Sequence, residues 1–361
     1  MDGRIRDGSP AAGTCTSHTG RNRSTQRITG DIDIKAIQFD SIGSPDVLAF
    51  RDVAEPTPGA GEVLIRVEAA GVNFSDIMWR RGQYDVKTPL PFIPGAEVAG
   101  TIVAVGPDVT GYALGTHVVS APPSGGYAQF VVAPIATTFP IPEGFSAIEA
   151  VSLMAQGLTA VLVLRKSGRL APGESVLVEA AAGGVGSIAV QLAKLYGASK
   201  VIAAASSPEK RAFAEALGAD ASVDYTVPGW AKTVRALTDG RGVDVVLDFV
   251  GGETTAQGME ALAPFGRLVV IGKAAGDAAP IAPWSLEHGN QSIVGFRIFG
   301  FAETPSIIAE AMGELIGLVQ AGKIKLPSGG AFPLAQAADV HRLMEDRKST
   351  GKLVLQPWVE G

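Results

Sequence analysis

The chain has 361 residues, room for two domains at roughly 100–200 residues each, and its 46% apolar and 18% charged residues give a globular rather than a disordered composition. A net charge of −6 and a pI near 5.4 leave no basic footprint for general nucleic-acid binding, so no nucleic-acid partner is expected. The single cysteine, Cys15, excludes an intramolecular disulfide and a cysteine-built metal centre. With no run of 18 apolar residues to mark a membrane span, a reducing cytoplasm and no membrane partner are the expectation.

Residues 1–33 are rich in Gly, Ser, Thr and Arg without hydrophobic periodicity and read as a flexible tail. From IKAIQF onward the pattern is ordered. Residues 34–155 carry short apolar runs broken by Gly and Pro; VLIRVEAAG, EVAGTIVAVG, THVVSA and GYAQFVVA predict strands of a compact β-rich domain. A helix is predicted from Ser75 to Arg81, closed by Gly82.

Residues 156–299 change character. ESVLVEAA predicts a buried strand, followed by AGGVG and a helix over VGSIAVQLAKLYG. The alternation continues with strands KVIAAA, ASVDY, VDVVLDFVG, GRLVVIG and SIVGF, and helices over SPEKRAFAEALG, Trp230–Leu237 and Thr254–Leu262. Nearly continuous apolar strands alternating with helices imply a doubly wound parallel sheet covered on both faces, an α/β fold. Residues 300–361 offer two more helices, PSIIAEAMGELIGLVQAG and LAQAADVHRLMED, and the strand GKLVLQP. They are expected to return to the first domain, which would then be discontinuous.

Ala182, Gly183, Gly184, Val185 and Gly186 fall between a buried strand and a helix, where glycines let a backbone approach a pyrophosphate and helix-start amides face it. The pattern departs from G-x-G-x-x-G, with Ala181 at the first glycine. The next strand ends Ala205-Ser206-Ser207, without the carboxylate that binds a ribose 2′-hydroxyl in NAD enzymes. Ser206, Ser207, Lys210 and Tyr225 can instead hold a 2′-phosphate, which predicts NADPH. Ser207 reads equally as a plain helix N-cap before Pro208, and Lys210 as a solvated helix face.

The segments AAGVNFSDIMWRRGQY, LPFIPGAEVAGTIVAVG, SGGYAQFVVAP, QGLTA, APGESVLVEAAAGGVG, GRGVDVVLDFVGG, GRLVVIGKAAG and TGKLVL together resemble the zinc-free, zeta-crystallin-like quinone oxidoreductases of the medium-chain dehydrogenase/reductase superfamily, over residues 34–361. The resemblance implies a GroES-like catalytic domain joined to a Rossmann cofactor domain. The positions of the catalytic zinc ligands in zinc members match Asn73, Ala96 and Ala155, a poor donor set, and His18, His117, His288 and His341 show no close ligand spacing; no metal is expected.

By the same resemblance, Asn73 and Tyr84 lie beside the nicotinamide as candidate catalytic residues. Asn73 would hold an acceptor carbonyl or a ribose hydroxyl, and Tyr84 would donate a hydrogen bond or proton. Asn73 also reads as a helix cap and Tyr84 as a half-buried loop aromatic. Thr159, Phe249, Val250, Ile271, Gly272, Lys273, Ile298 and Phe299 match cofactor contacts. Met78 departs from the tyrosine many relatives carry there. Asp76 and Glu97 fall near the expected cleft, Glu97 in a structural role, and Lys352 could reach the active-site rim but reads first as a solvated strand end.

The implied activity is NADPH-dependent hydride transfer to a quinone or an α,β-unsaturated carbonyl by a homodimer. Two alternatives stand beside it. One is an enoyl-thioester reductase with a basic entrance at Arg80, Arg81 and Lys87; the other is a non-catalytic NADPH-binding protein.

Overall fold

The computed structural model describes residues 33–84, 86–301 and 304–360; the N-terminal segment with Cys15 and His18 lies outside them. The chain enters through a two-stranded hairpin, β1 (Asp33–Gln38) and β2 (Ala49–Ala54). The long strand β3 (Glu62–Val72) then runs into helix α1 (Phe74–Arg81), closed by Gly82 in the left-handed region at φ 66°. Strands β4 (Val98–Val105), β5 (His117–Ser120), β6 (Phe130–Pro134) and β7 (Thr138–Pro140) complete the first part of a largely antiparallel sheet.

A 21-residue helical run, Ala147–Ser167, follows. It contains short α segments, α2 (Ala147–Ala150) and α3 (Thr159–Leu162), and two π-helical stretches, Leu153–Leu158 and Val163–Ser167. By length and composition the run is apolar enough to cross a membrane, yet 78% of its most apolar window is buried inside the protein. Most of its residues are buried, and its exposed charges, Glu149, Arg165 and Lys166, sit near its two ends.

Next comes the doubly wound unit: β8 (Ser175–Val178), α4 (Gly184–Leu195), β9 (Lys200–Ala205), α5 (Pro208–Ala216), β10 (Ala221–Asp224), α6 (Trp230–Ala236), β11 (Val243–Asp248), α7 (Glu253–Ala261), β12 (Leu262–Val270) and β13 (Ser292–Gly295). All pairs are parallel, in the order β10-β9-β8-β11-β12-β13. Every residue of β8 is buried, and the central strands pack on both faces. The strand order reverses between β8 and β11, so a crevice opens at their carboxyl ends, where ligands of such sheets bind.

The last part of the chain holds α8 (Pro305–Gln320), β14 (Ser328–Pro333), α9 (Ala337–Glu345) and β15 (Lys352–Gln356). Strand β15 pairs antiparallel with β3, Leu353 opposite Val72, and β14 extends the sheet to seven strands with β6 also on β3. The α/β class and both sheet types agree with the sequence reading; β14 was not foreseen, because SGGAFP carries no strand pattern. One core cluster runs from Ala69 and Ala99 through Val178 and Ile188 to Met312 and Leu315, so apolar packing is continuous from one sheet to the other.

Candidate active site

The glycine turn follows β8. Ala180 takes the left-handed conformation at φ 46°, a strained place for a residue with a Cβ, and its carbonyl accepts the Gly183 N–H at 2.8 Å. A Cβ on Gly186 would lie 2.4 Å from that carbonyl oxygen, so only glycine lets α4 start this close to the turn. The first intrahelical bond runs from Ser187 N–H to Gly183 O, which leaves the preceding amides at the open, positive end of α4. Gly351 N–H donates to Ala182 O at 2.9 Å, tying the turn to the residue before β15.

At the end of β9, Ser207 caps α5: its Oγ accepts the Lys210 N–H at 3.3 Å. The Lys210 ammonium donates to the Arg347 carbonyl at 2.6 Å, and burial followed by the nearby Arg347 charge lowers its pKa. Tyr225 is raised by burial, with Ser206 and the Arg347 charge near enough to oppose the shift. Ser206, Lys210, Tyr225 and Arg347 therefore converge. The sequence reading missed Arg347, which lies 137 positions beyond Lys210 with no local motif to mark it.

The carboxyl end of β11 is organised by buried Asp248. Its carboxylate accepts the Val250 and Gly251 N–H groups at 3.0 and 2.8 Å and the Thr255 hydroxyl at 2.6 Å. Its carbonyl accepts the Ile271 and Gly272 amides, which joins the ends of β11 and β12. Beside it lies Glu179, fully buried, with no donor reaching either carboxyl oxygen among the described residues. Burial, then the Asp248 charge, drives the Glu179 pKa well above the carboxylate range.

The opposite wall is built from side chains. The Asn73 backbone N–H donates to Asp76 at 2.8 Å, the reciprocal half of a helix cap. The Asn73 amide is occupied elsewhere. Its Nδ2 donates to Glu97 at 3.1 Å, and its Oδ1 accepts from Gln156 at 2.9 Å and from Lys352 at 3.0 Å. Lys352 also pairs with Glu97, both side chains within 1% of full burial. This corrects the reading of Lys352 as a solvated strand end: β15 aims it inward at a carboxylate 255 positions away. Gln156, in the π-helical stretch, was also missed. Its Oε1 is buried without a partner among the described residues, and its Cδ lies 3.0 Å from where a Gly184 Cβ would sit. Thr159, three residues on, is buried.

Below this wall Asp76, pushed up to about 6 by burial, accepts from Gly95 N–H and Tyr127 hydroxyl. The Tyr127 hydroxyl also meets His341 Nε2 at 3.2 Å, and burial followed by the Arg80 charge lowers His341 to about 3. Arg80 is fully buried and ion-paired with Glu345, which Arg81 shares. Arg80 therefore does not stand at an entrance, a second correction: helix α1 turns it into the protein.

A cavity of about 580 Å³ lies beside these groups, lined by Phe74, Met78, Arg81, Lys273 and Arg347. Lys273 pairs with Asp277 at 3.0 Å. Tyr84 stacks on Trp79 with centroids 4.4 Å apart, and Trp79 stacks on Phe92. Ile298 packs on the core, whereas Phe299, on the same 3₁₀ turn, is 57% exposed.

Two family models match the chain: an alcohol dehydrogenase GroES-like domain over residues 59–143 and a zinc-binding dehydrogenase over 184–313. A quinone oxidoreductase of Pseudomonas aeruginosa is 37% identical, covering 90% of this chain and 99% of the relative. The chain belongs to the quinone oxidoreductase group of the medium-chain dehydrogenase/reductases. Within this group it is also similar to a 2-haloacrylate reductase of Burkholderia sp, 34% identical over 87% of this chain and 96% of the relative. The crystal structure of Escherichia coli quinone oxidoreductase complexed with NADPH superposes with a TM-score of 0.85, at 30% identity, over 90% of this chain and 100% of that one.

The metal named by the second family model does not fit this chain. Asn73, Ala96 and Ala155 are a poor donor set, and among the described residues no group of three or more His, Cys, Asp or Glu is placed to hold an ion. A dinucleotide does fit. The glycine turn leaves open amides, and Gln156 holds an orphaned acceptor beside them.

Proposed function

We propose that this protein is a zinc-independent, NADPH-dependent oxidoreductase that reduces quinones or α,β-unsaturated carbonyl compounds. The observation that carries the cofactor reading is the end of β9: no carboxylate stands there, and Ser206, Lys210, Tyr225 and Arg347 converge instead. Ser206 and Tyr225 offer hydroxyls and Lys210 and Arg347 offer charge to a 2′-phosphate. Ala182 to Gly186 would hold the pyrophosphate, with Ser207 shaping the start of α5. Thr159, Phe249, Val250, Ile271, Gly272, Lys273, Ile298 and Phe299 are the remaining contacts in this reading.

When bound, reduced nicotinamide supplies a hydride to an electrophilic carbon. The protein's task is then to hold the acceptor and deliver a proton to its oxygen. Asn73 has a second Nδ2 hydrogen left for the acceptor carbonyl, and its position is fixed by three partners. Tyr84, its ring held by Trp79, is the proton donor in this reading. Quinones and enals need no Lewis acid, which agrees with the donor-poor positions at Ala96 and Ala155. An enoyl-thioester substrate is less well supported, since Arg80 is buried on Glu345.

We place the enzyme in the cytoplasm as a homodimer. Edge strand β13 is partly exposed, and Trp284 and Phe265 nearby are 79% and 73% exposed. Light scattering should return twice the 37.1 kDa chain mass.

The test of function is NADPH oxidation with 9,10-phenanthrenequinone, an enone and crotonyl-CoA. Turnover with the first two supports the proposal, preference for crotonyl-CoA would favour the thioester alternative, and tight NADPH binding without turnover would mean a binding protein. Tyr84→Phe should keep the melting temperature and lower kcat.

A further inference from the structure

We propose that Lys352 is a positioning residue for catalysis: its buried ammonium holds the Asn73 amide with its oxygen turned into the protein and its remaining N–H turned toward the acceptor. The inference rests on the role of Asn73 proposed above and extends it to a residue 279 positions away.

An ammonium has three donors and no acceptor. Lys352 Nζ directs these donors to Asn73 Oδ1 at 3.0 Å, to the Val72 carbonyl at 3.4 Å and to Glu97. Facing an ammonium, Asn73 can present only its oxygen. Gln156 donates to the same oxygen, and Glu97 draws one Nδ2 hydrogen to itself. The amide therefore has one permitted orientation, and a single hydrogen remains for a ligand. The positive charge behind the amide oxygen also polarises the group, strengthening that N–H as a donor.

The arrangement is built into the backbone. A Cβ on Gly71 would lie 2.4 Å from Glu97 Oε2 and 2.5 Å from Lys352 Cε, so the ion pair occupies the space a side chain would fill. Glu97 is fixed from its other side by the Ala155 N–H at 2.5 Å. The residue before Lys352 is bonded to the glycine turn through Gly351 N–H and Ala182 O. One short segment thus touches the turn proposed to bind the dinucleotide and, through the next side chain, the amide proposed to bind the acceptor.

Burying an ion pair is costly, and removing one partner leaves the other charge unpaired in the interior, so Lys352→Met alone is expected to fold poorly. The informative protein is the double variant Glu97→Gln/Lys352→Met, which removes both members of this buried pair. It should melt close to wild type and bind NADPH with unchanged affinity by calorimetry. Its kcat with 9,10-phenanthrenequinone should fall at least tenfold. In an Asn73→Ala background the same double change should lower kcat no further, because its effect runs through the amide. A double variant with wild-type kcat, or a further loss in the Asn73→Ala background, would overturn the inference while leaving the reductase reading intact. A wild-type protein that turned over none of the acceptors would overturn both, at the level of function.

Discussion

The two walls of the cleft are made of different materials. On the dinucleotide side the groups that face the crevice come largely from local backbone: a strained Ala180, a helix start at Gly184 and two strand ends joined through Asp248. On the other side they are side chains delivered by four separate segments: Asn73 after β3, Glu97 before β4, Gln156 from a π-helical stretch and Lys352 from β15. A backbone wall tolerates changes in most side chains but fails at a glycine. A side-chain wall fails when any one charge loses its counterpart.

The sharpest way to break the second wall is Lys352→Met. Leaving Glu97 ionised and unpaired should cost about 3–5 kcal/mol of folding stability, read as a large drop in melting temperature. Against the first wall, Lys210→Ala and Arg347→Ala should each raise the NADPH Michaelis constant by roughly 10–100-fold, as expected for a lost charge-assisted hydrogen bond of about 1.5–3 kcal/mol. NADH kinetics should stay nearly unchanged, and an equal effect on both coenzymes would refute the pocket.

Glu179 supplies a gain rather than a loss. Its carboxyl ionises at a higher pH in the fold than in the unfolded chain, where it ionises above about pH 4.5, so the native protein forfeits stability as pH rises from there toward its raised native pKa. Glu179→Gln removes that linkage and should flatten the fall in stability between about pH 5 and 8, read by urea titration. A slope unchanged from wild type would contradict the raised carboxyl.

A pH-dependent effect concerns His341, lowered to about 3 by burial. In the unfolded chain it takes up a proton near pH 6.5, while the folded protein keeps it neutral. Its contribution is therefore intact above pH 6.5 and is lost as pH falls toward 3, by up to about 1.4 kcal/mol per pH unit. Asp76, raised to about 6, works in the opposite sense: its linkage makes stability fall as pH rises from about 4 to 6. His341→Asn should thus flatten the acid-side loss in urea titrations between pH 4 and 6.5, and Asp76→Asn should remove the opposing slope.

The difference between the walls also explains what could be read in advance. The turn at Ala182 to Gly186, the Ser207 cap and the β-α alternation leave signals within a few residues, and helices foreseen at Ser75–Arg81 and Trp230–Leu237 were within one residue of their ends. Lys352 and Arg80 leave none. A lysine opening a strand and an arginine late in a helix are ordinarily solvated, and only the tertiary fold brings Glu97 and Glu345 to them. The run Ala147–Ser167, which carries Gln156, is buried along most of its length and so lacks the apolar/polar period that marks a helix edge.

Calorimetric titration of the purified protein with NADPH and then NADH tests the central claim most directly. The account predicts one site per chain that takes NADPH at least tenfold more tightly. Equal affinities would contradict the 2′-phosphate pocket, and heat from neither coenzyme would contradict the cofactor site itself.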